Sequence, residues 1–416
     1  KNCKNSLERR GPDANGLYKN VSKKKAILFV HTRLSIVDLN SEASQPFSDH
    51  NGTLIFNGMI YNYIELRKLL EKKGEKFKTT SDTEVLLKML NIYKEKAFKM
   101  LDGMWVLAYY DFKKNEVILS RDRFGEKPLF YQIINNNFFF SNSIKALNKL
   151  SGKKLKFNDS KVKKFLCYPD KSYGLDNDTF FEKIFQFPNS SYLKLNLDSR
   201  NTSKKFKKYW HLSIKENNKP FNYVCKEVKK KLKDVIKTRT RSDVSNSVLV
   251  SGGLDSNTIV SEASKLSNIN GYSLVSTNPN YDERKQIKSS ELLNKFKTNL
   301  ISSKNSKSLG LLEKIIQYGY NPLITPTALA LALLCSKIKR DNNKVLLTGI
   351  GGDELFCGYY VNYLSHILSF ENRKEYLIAF RDANGKTAYQ KEYSDAAGGP
   401  TPEEVWRDLS SIRYHY

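Results

Sequence analysis

The stretch Val248-Leu249-Val250-Ser251-Gly252-Gly253-Leu254-Asp255-Ser256 constrains this chain more than any other. An apolar run opens into Ser-Gly-Gly, then an acid, a second serine and a helix-like continuation. That layout predicts a strand ending in a tight turn that feeds a helix. The glycines let backbone N–H groups converge on an anion, and the helix N-terminus adds its positive end. The Ser251 and Ser256 hydroxyls can donate to phosphate oxygens. Asp255 would otherwise repel phosphate, so its best use is to hold Mg²⁺ beside it. The spacing is shorter than in the G-x-x-x-x-G-K-[ST] loop, and no Lys follows. An ordinary Ser/Gly turn with a helix cap would have the same letters.

About 100 residues later the pattern returns: Val345-Leu346-Leu347 runs into Thr348-Gly349-Ile350-Gly351-Gly352-Asp353-Glu354. Two such turns at neighbouring strand ends can hold one Mg·ATP between Asp255 and Asp353. Alternatively, Asp353 and Glu354 cap a helix. From about Tyr223 helix and strand signals alternate: helices at 224–238, 257–266, 282–296 and 327–338, strands at 247–250, 272–276, 299–301 and 344–347. This predicts an α/β domain with a doubly wound, mostly parallel sheet, its ligand turns at the carboxyl ends of strands.

The first half has a different rhythm. Short strands are expected at 26–30, 53–57, 106–111, 116–120, 128–134 and 137–140, with helices at 63–73 and 83–93. Antiparallel strands with a few helices predict an α+β layered domain of αββα type. A Lys-rich stretch at 197–208 looks like a connection, giving domains at 1–205 and 215–416. After Tyr393 Lys and Asn thin out, and 396–404 is expected to be a loop before a short helix. No function follows for the 394–416 tail.

The 416 residues are 40% hydrophobic, which fits globular domains with full cores. No apolar run approaches the roughly 20 residues that span a bilayer, so no membrane partner is expected. The first residues lack the apolar core of a signal peptide. Five cysteines are scattered without C-x-x-C pairs, which argues against a disulfide framework or zinc site and for the cytoplasm. The net charge of +27 is spread along the chain as Lys, in short runs such as Lys229-Lys230-Lys231. Spread charge of this kind predicts weak attraction to polyanions and no specific nucleic-acid partner.

The two turns, in this order, resemble the pyrophosphate loop and second nucleotide turn of the glutamine-hydrolysing asparagine synthetases. The first half carries that family's glutaminase signatures in order: Arg10-Gly11-Pro12-Asp13, Arg33-Leu34-Ser35-Ile36-Val37-Asp38, Gln45-Pro46, Asn57-Gly58-Met59-Ile60-Tyr61-Asn62, Ser81-Asp82-Thr83-Glu84, Asp102-Gly103-Met104-Trp105, Arg121-Asp122-Arg123-Phe124-Gly125 and Tyr209-Trp210. The match runs to about Tyr360. It implies an N-terminal nucleophile glutaminase domain followed by an ATP pyrophosphatase domain. Such an enzyme adenylates a carboxylate, aspartate in the type reaction, and amidates it with glutamine-derived ammonia, releasing AMP and pyrophosphate.

By the same resemblance, Arg33, Leu34, Ile36, Val37, Asn57, Gly58, Met59 and Asp82 bind glutamine. ATP is held by Val250, Ser251, Gly252, Gly253, Leu254, Asp255, Ser256, Val275, Thr348 and Gly349, and Mg²⁺ by Asp255 and Asp353. The chemistry is sound on its own terms. Arg33 can fork the α-carboxylate, Asp82 can pair with the α-ammonium, and the Asn57 and Gly58 N–H groups can form an oxyanion hole. Structural uses compete: Arg33 can pair internally, Asn57-Gly58 can be a hairpin turn, and Asp82 can cap a helix. The resemblance also allows a homodimer.

Three departures qualify it. The family's terminal Cys stands 25 to 30 residues before the Arg-Gly-Pro-Asp turn, and only nine residues precede Arg10 here. Cys3 is not given that role, no catalytic residue is assigned, and the chain is expected to be clipped at its start and unable to hydrolyse glutamine. Ile350 stands where the family has an acid beside the acceptor, and Met59 replaces a Glu. The family's transition-state Lys would fall beyond Tyr416, so the second domain is expected to be incomplete. Ile350 motivates an alternative acceptor, such as a sugar acid, a peptide or another biosynthetic carboxylate. The departures together motivate a second alternative, a degenerate non-catalytic binding protein.

Overall fold

The strand at 103–111 is buried on both faces from Trp105 to Asp111, and there the chain builds its largest sheet. The structure, a computed structural model, describes residues 2–21, 25–169, 176–198, 205–215, 218–276, 278–302, 308–323, 325 and 327–359. The first half runs α1 (Asn2–Leu7), β1 (Ala14–Val21), β2 (Ala26–Arg33), β3 (Phe47–Ser48), β4 (Gly52–Ile60), α2 (Tyr63–Glu71), α3 (Asp82–Tyr93), α4 (Ala97–Met100), β5 (Gly103–Asp111), β6 (Glu116–Arg121), β7 (Phe130–Ile134), β8 (Asn137–Ser141), α5 (Ile144–Ser151), α6 (Asp159–Cys167), β9 (Phe185–Gln186), β10 (Ser191–Asn196) and β11 (Lys207–Lys208).

Six strands form an antiparallel sheet in the order β11-β10-β6-β5-β4-β3. In β5, successive side chains serve opposite faces. Leu107 and Tyr109 join Leu66 and Leu70 of α2 and Leu86 and Leu90 of α3 on one face. Val106, Ala108 and Tyr110 join Ile27 and Phe29 of β2 on the other. The second layer is therefore β1-β2 together with the three-stranded sheet β8-β7-β9. Beyond it, Ile144 and Leu147 of α5 pack on Phe130 of β7 and Phe139 of β8. The stack is a helix–sheet–sheet–helix layering. Both β2 and β8 line an apolar cavity of about 330 Å³ whose walls include Ile55, Val106 and Ala108.

The second half runs α7 (Phe221–Arg239), β12 (Asn246–Leu249), α8 (Leu254–Ala263), β13 (Ile269–Val275), α9 (Arg284–Asn294), β14 (Lys297–Ser302), α10 (Ser308–Gly319), α11 (Thr327–Arg340), β15 (Val345–Leu347) and α12 (Gly352–Phe356). Its four strands lie in the order β14-β13-β12-β15, and every neighbouring pair is parallel. Helices cover both faces. Ile236 of α7, Val260 of α8 and Ile287 of α9 meet Val248 and Val275 on one. Leu334 and Ile338 of α11 meet Tyr272 on the other. Compact units divide at Lys1–Thr348 and Gly349–Tyr416. Among the described residues no helix is long and apolar enough to cross a membrane.

Two expectations need correction. Asn57-Gly58 is no hairpin turn: both residues sit mid-strand in β4, opposite Val106 and Trp105. The stretch 197–208 is more than a linker. Phe206 packs in the core on the β2 side of the large sheet, and Lys207 and Lys208 pair with Tyr192 and Ser191. The expected loop and helix at 396–404 lie outside the described residues.

Candidate functional site

A polar cavity of about 280 Å³ opens between β2, β4 and the start of α3. Arg33, Leu34, Ile36, Val37, Asn57, Gly58, Met59 and Asp82 all line it, so the residues expected to bind glutamine are brought together without exception. The local structure explains why. Phe56 N–H donates to the Gln45 side chain at 2.6 Å, and Ile60 N–H donates to Asp82 Oδ2 at 3.0 Å. N–H groups two apart on a strand point the same way. Gly58, midway between them, therefore aims its N–H along the edge of β4 that faces Gln45 and Asp82. No side chain larger than hydrogen fits at this position, because a Cβ on Gly58 would lie 2.0 Å from Met104 O.

Asp82 is free to serve the cavity because other residues do the capping. Ser81 accepts the Glu84 N–H, and the Glu84 carboxylate accepts from Lys78 N, Thr79 N and the Thr79 hydroxyl. Burial pushes the Asp82 carboxyl up to about 6, against the Ile60 and Thr83 N–H groups and the Arg33 charge, which pull it down. His31 shares the wall. Burial pulls its imidazole down to about 4, against its bond to Phe56 O at 3.1 Å. A neutral ring bonded to that carbonyl donates from Nε2, which leaves Nδ1 as an acceptor. Nδ1 has no hydrogen-bond partner among the described residues.

Arg33 takes the internal role that the sequence left open. Its guanidinium donates to the carbonyls of Val37, Asp38 and Asn40. It thereby shapes the loop that carries Ile36 and Val37 while its charge stays on the cavity wall with Asp82. Two further cations line the cavity, Arg10 and Lys127, and no cysteine does among the described residues. Burial, and after it the Arg10 charge, lower the Lys127 ammonium. Arg10, His31, Lys127 and Asn142, to which sequence reasoning assigned no role, also line this cavity. One signal was available: His31 stands two residues before Arg33 on β2, and both positions are buried on the same face.

In the second half, β12 ends at Leu249 and α8 starts at Leu254, leaving Val250–Gly253 as the predicted turn. Both hydroxyls face inward. Ser251 Oγ and Ser256 Oγ are 2.8 Å apart, and Ser256 Oγ also reaches Ser251 O and Gly253 O at 3.2 and 3.1 Å. Asn257, unremarkable in the sequence, donates to the same two carbonyls. The serines therefore set the loop's shape, and their hydroxyls also accept the Ser251 and Gly253 N–H groups. The Asp255 carboxylate has no ion pair or hydrogen bond among the described residues, as suits a group reserved for a cation. Val275 ends β13 and Thr348 follows β15, the two strands flanking β12, so both stand at carboxyl ends beside the turn. Gly349 and Asp353 belong to the second compact unit, where Asp353 lies in the first turn of α12.

Residues 1–210 match a family described as a glutamine amidotransferase domain, and residues 227–412 one described as asparagine synthase. Asparagine synthetase [glutamine-hydrolyzing] 1 of Bacillus subtilis is 31% identical over 357 residues, covering 85% of this chain and 54% of that protein. A putative asparagine synthetase [glutamine-hydrolyzing] 2 of Methanocaldococcus jannaschii is 31% identical over 390 residues, covering 88% of this chain and 73% of that one. A Gibberella zeae protein named amidase chry2 is 24% identical over 375 residues, covering 85% and 54%. The chain thus spans about half to three quarters of the length of these relatives.

Proposed function

Because this chain belongs to the family of glutamine-hydrolysing asparagine synthetases, we propose that it is an ATP-dependent amidotransferase using glutamine, ATP and a carboxylate acceptor. The observation that carries the proposal is the gathering of all eight expected glutamine residues on one cavity. Within that cavity Asp82 pairs with the α-ammonium, the Arg33 charge attracts the α-carboxylate, and Gly58 N–H stabilises negative charge on the amide oxygen. In the second half, the Gly252 N–H and the N–H groups at the start of α8 hold phosphate, since those of Val250, Ser251 and Gly253 donate to Tyr272 O, Ser256 Oγ and Ser251 Oγ.

Hydrolysis of the glutamine amide by water releases ammonia and leaves glutamate, and amide formation then takes two steps. An acceptor carboxylate oxygen attacks the α-phosphorus of ATP and pyrophosphate leaves. Ammonia nitrogen then attacks the activated carbonyl carbon and AMP leaves. Asp255 would hold Mg²⁺, which supplies charge neutralisation for the phosphates. The fit rests on the uncommitted Asp255 carboxylate next to the phosphate turn.

Aspartate is the acceptor we favour. A different carboxylate is the second reading, favoured by Ile350, whose side chain is apolar, 73% exposed and unable to pair with an amine. ATP–pyrophosphate exchange measured with aspartate and with a panel of sugar acids and peptides decides between them. Exchange driven by aspartate alone removes the second reading, exchange driven only by another acid removes the first, and no exchange with any carboxylate sinks the adenylation proposal.

A further inference from the structure

Several of the contacts between the two halves of the first compact unit meet at one short loop. Residues 35–38 form part of the cavity wall through Ile36 and Val37. Behind that wall the Asp243 N–H donates to Ile36 O at 2.9 Å, and the Asp38 N–H donates to the Asp243 carboxylate at 2.7 Å. Asp243 stands three residues before β12. Lys344 stands immediately before β15. Its Nζ donates to the Asp13 carboxylate at 2.6 Å and reaches Ser35 O at 3.4 Å. The same carboxylate accepts the Ser35 N–H at 2.7 Å.

Strands β12 and β15 are parallel neighbours. Their starts are thus tied to the cavity loop, and their ends open into the turns at Ser251 and Thr348. Strands of four and three residues span about 13 and 10 Å, with Asp243 three residues and Lys344 one residue before them. The loop itself is held on its other side, where the Asp38 carboxylate accepts from Thr80 N at 2.8 Å and Asn40 N at 3.1 Å. Asp38 has a φ of 54°, which non-glycine residues seldom adopt.

We infer that Asp243 and Lys344 are positioning residues that couple the glutamine cavity to the nucleotide turns, by fixing the loop at 35–38 to the starts of β12 and β15. Filling one site changes the affinity of the other, and the effect is reciprocal. The inference rests on the glutamine and ATP assignments proposed above. Other bonds between the halves supply a control. Arg241 pairs with Glu65 at 2.6 Å through both terminal nitrogens, and neither residue lines the cavity.

Calorimetric titration of the chain tests this, with glutamine in the absence and presence of saturating Mg·ATP and then with the ligands exchanged. The wild type should show the same factor in both directions, about fivefold or more. Asp243→Ala and Lys344→Met should each bring it close to one. Asp243→Asn, whose amide oxygen accepts the same N–H, should retain it, as should Arg241→Met, which loses an ion pair of the same interface. Lys344→Met carries the test alone if Asp243→Ala does not fold. The inference is overturned if the wild type binds both ligands independently, if the two variants keep the factor, or if Arg241→Met loses it equally. A wild type that binds no glutamine refutes the cavity assignment first, and the coupling with it.

Discussion

Asp82 holds two demands in conflict. It must be ionised to meet an ammonium, yet burial has raised its carboxyl from 3.8 to about 6. The folded state therefore binds the proton more tightly than the unfolded chain. Stability from this group is fully present below pH about 4 and lost as pH rises through about 6. Asp82→Asn keeps an acceptor for Ile60 N–H and removes the charge. It should raise stability at pH 7 by up to about 3 kcal/mol, because each tenfold gain in proton affinity on folding corresponds to about 1.4 kcal/mol. The same variant should abolish glutamine binding. Thermal melts from pH about 4 to 7 check the sign, since the advantage of the variant should vanish at the acid end. In the wild type, glutamine affinity should fall as pH drops below about 6.

Gly58 gives a second test at this scale. Gly58→Ala forces a Cβ against Met104 O and Trp105 Cα. Overpacking of this kind costs about 1–3 kcal/mol, so its melting temperature should fall and glutamine binding should disappear. Gly310→Ala, in α10 and meeting nothing within 4 Å, should leave glutamine binding unchanged and the melting temperature no lower.

At the scale of elements, the nucleotide turn depends on Ser256 more than its sequence suggests. Its hydroxyl is shared among Ser251 Oγ, Ser251 O and Gly253 O, and accepts the Ser251 N–H. Ser256→Ala leaves the Ser251 N–H without its acceptor, a cost of about 1–3 kcal/mol, while Asn257 still serves the two carbonyls. ATP affinity should drop by tenfold or more, with glutamine affinity measured alone unaffected. A variant with normal ATP affinity would show that the turn keeps its shape without this bridge.

The turn and the helix after it were legible because apolar run, glycines and helix pattern sit in adjacent residues. β4 was legible only as far as Asn57, since Asn-Gly resembles a hairpin locally and only pairing with β5 keeps the strand going to Ile60. β1 escaped notice because Leu17 and Val21 face outward while Gly16 takes an inner position, so residue types do not alternate as the strand does. Arg33 was placed correctly on the cavity, but its bonds to three carbonyls depend on a loop conformation that residue types do not specify.

At the scale of the whole molecule, the +27 charge is distributed over both halves. Random-sequence RNA should therefore bind weakly, losing at least about tenfold in affinity between about 50 and 200 mM salt. Fluorescence anisotropy at the two salt concentrations checks this. Tight binding that ignored salt would point to a dedicated nucleic-acid surface.

Ile350 stands within the turn between β15 and α12, with most of its surface in solvent. Nothing in a core has to be repacked when that residue changes. An acceptor preference controlled there can shift by a single codon while the strands keep their sequence. A lineage built on this scaffold can then explore new substrates faster than it explores new folds, and a chain's resemblance to its relatives will outlast agreement over what it amidates.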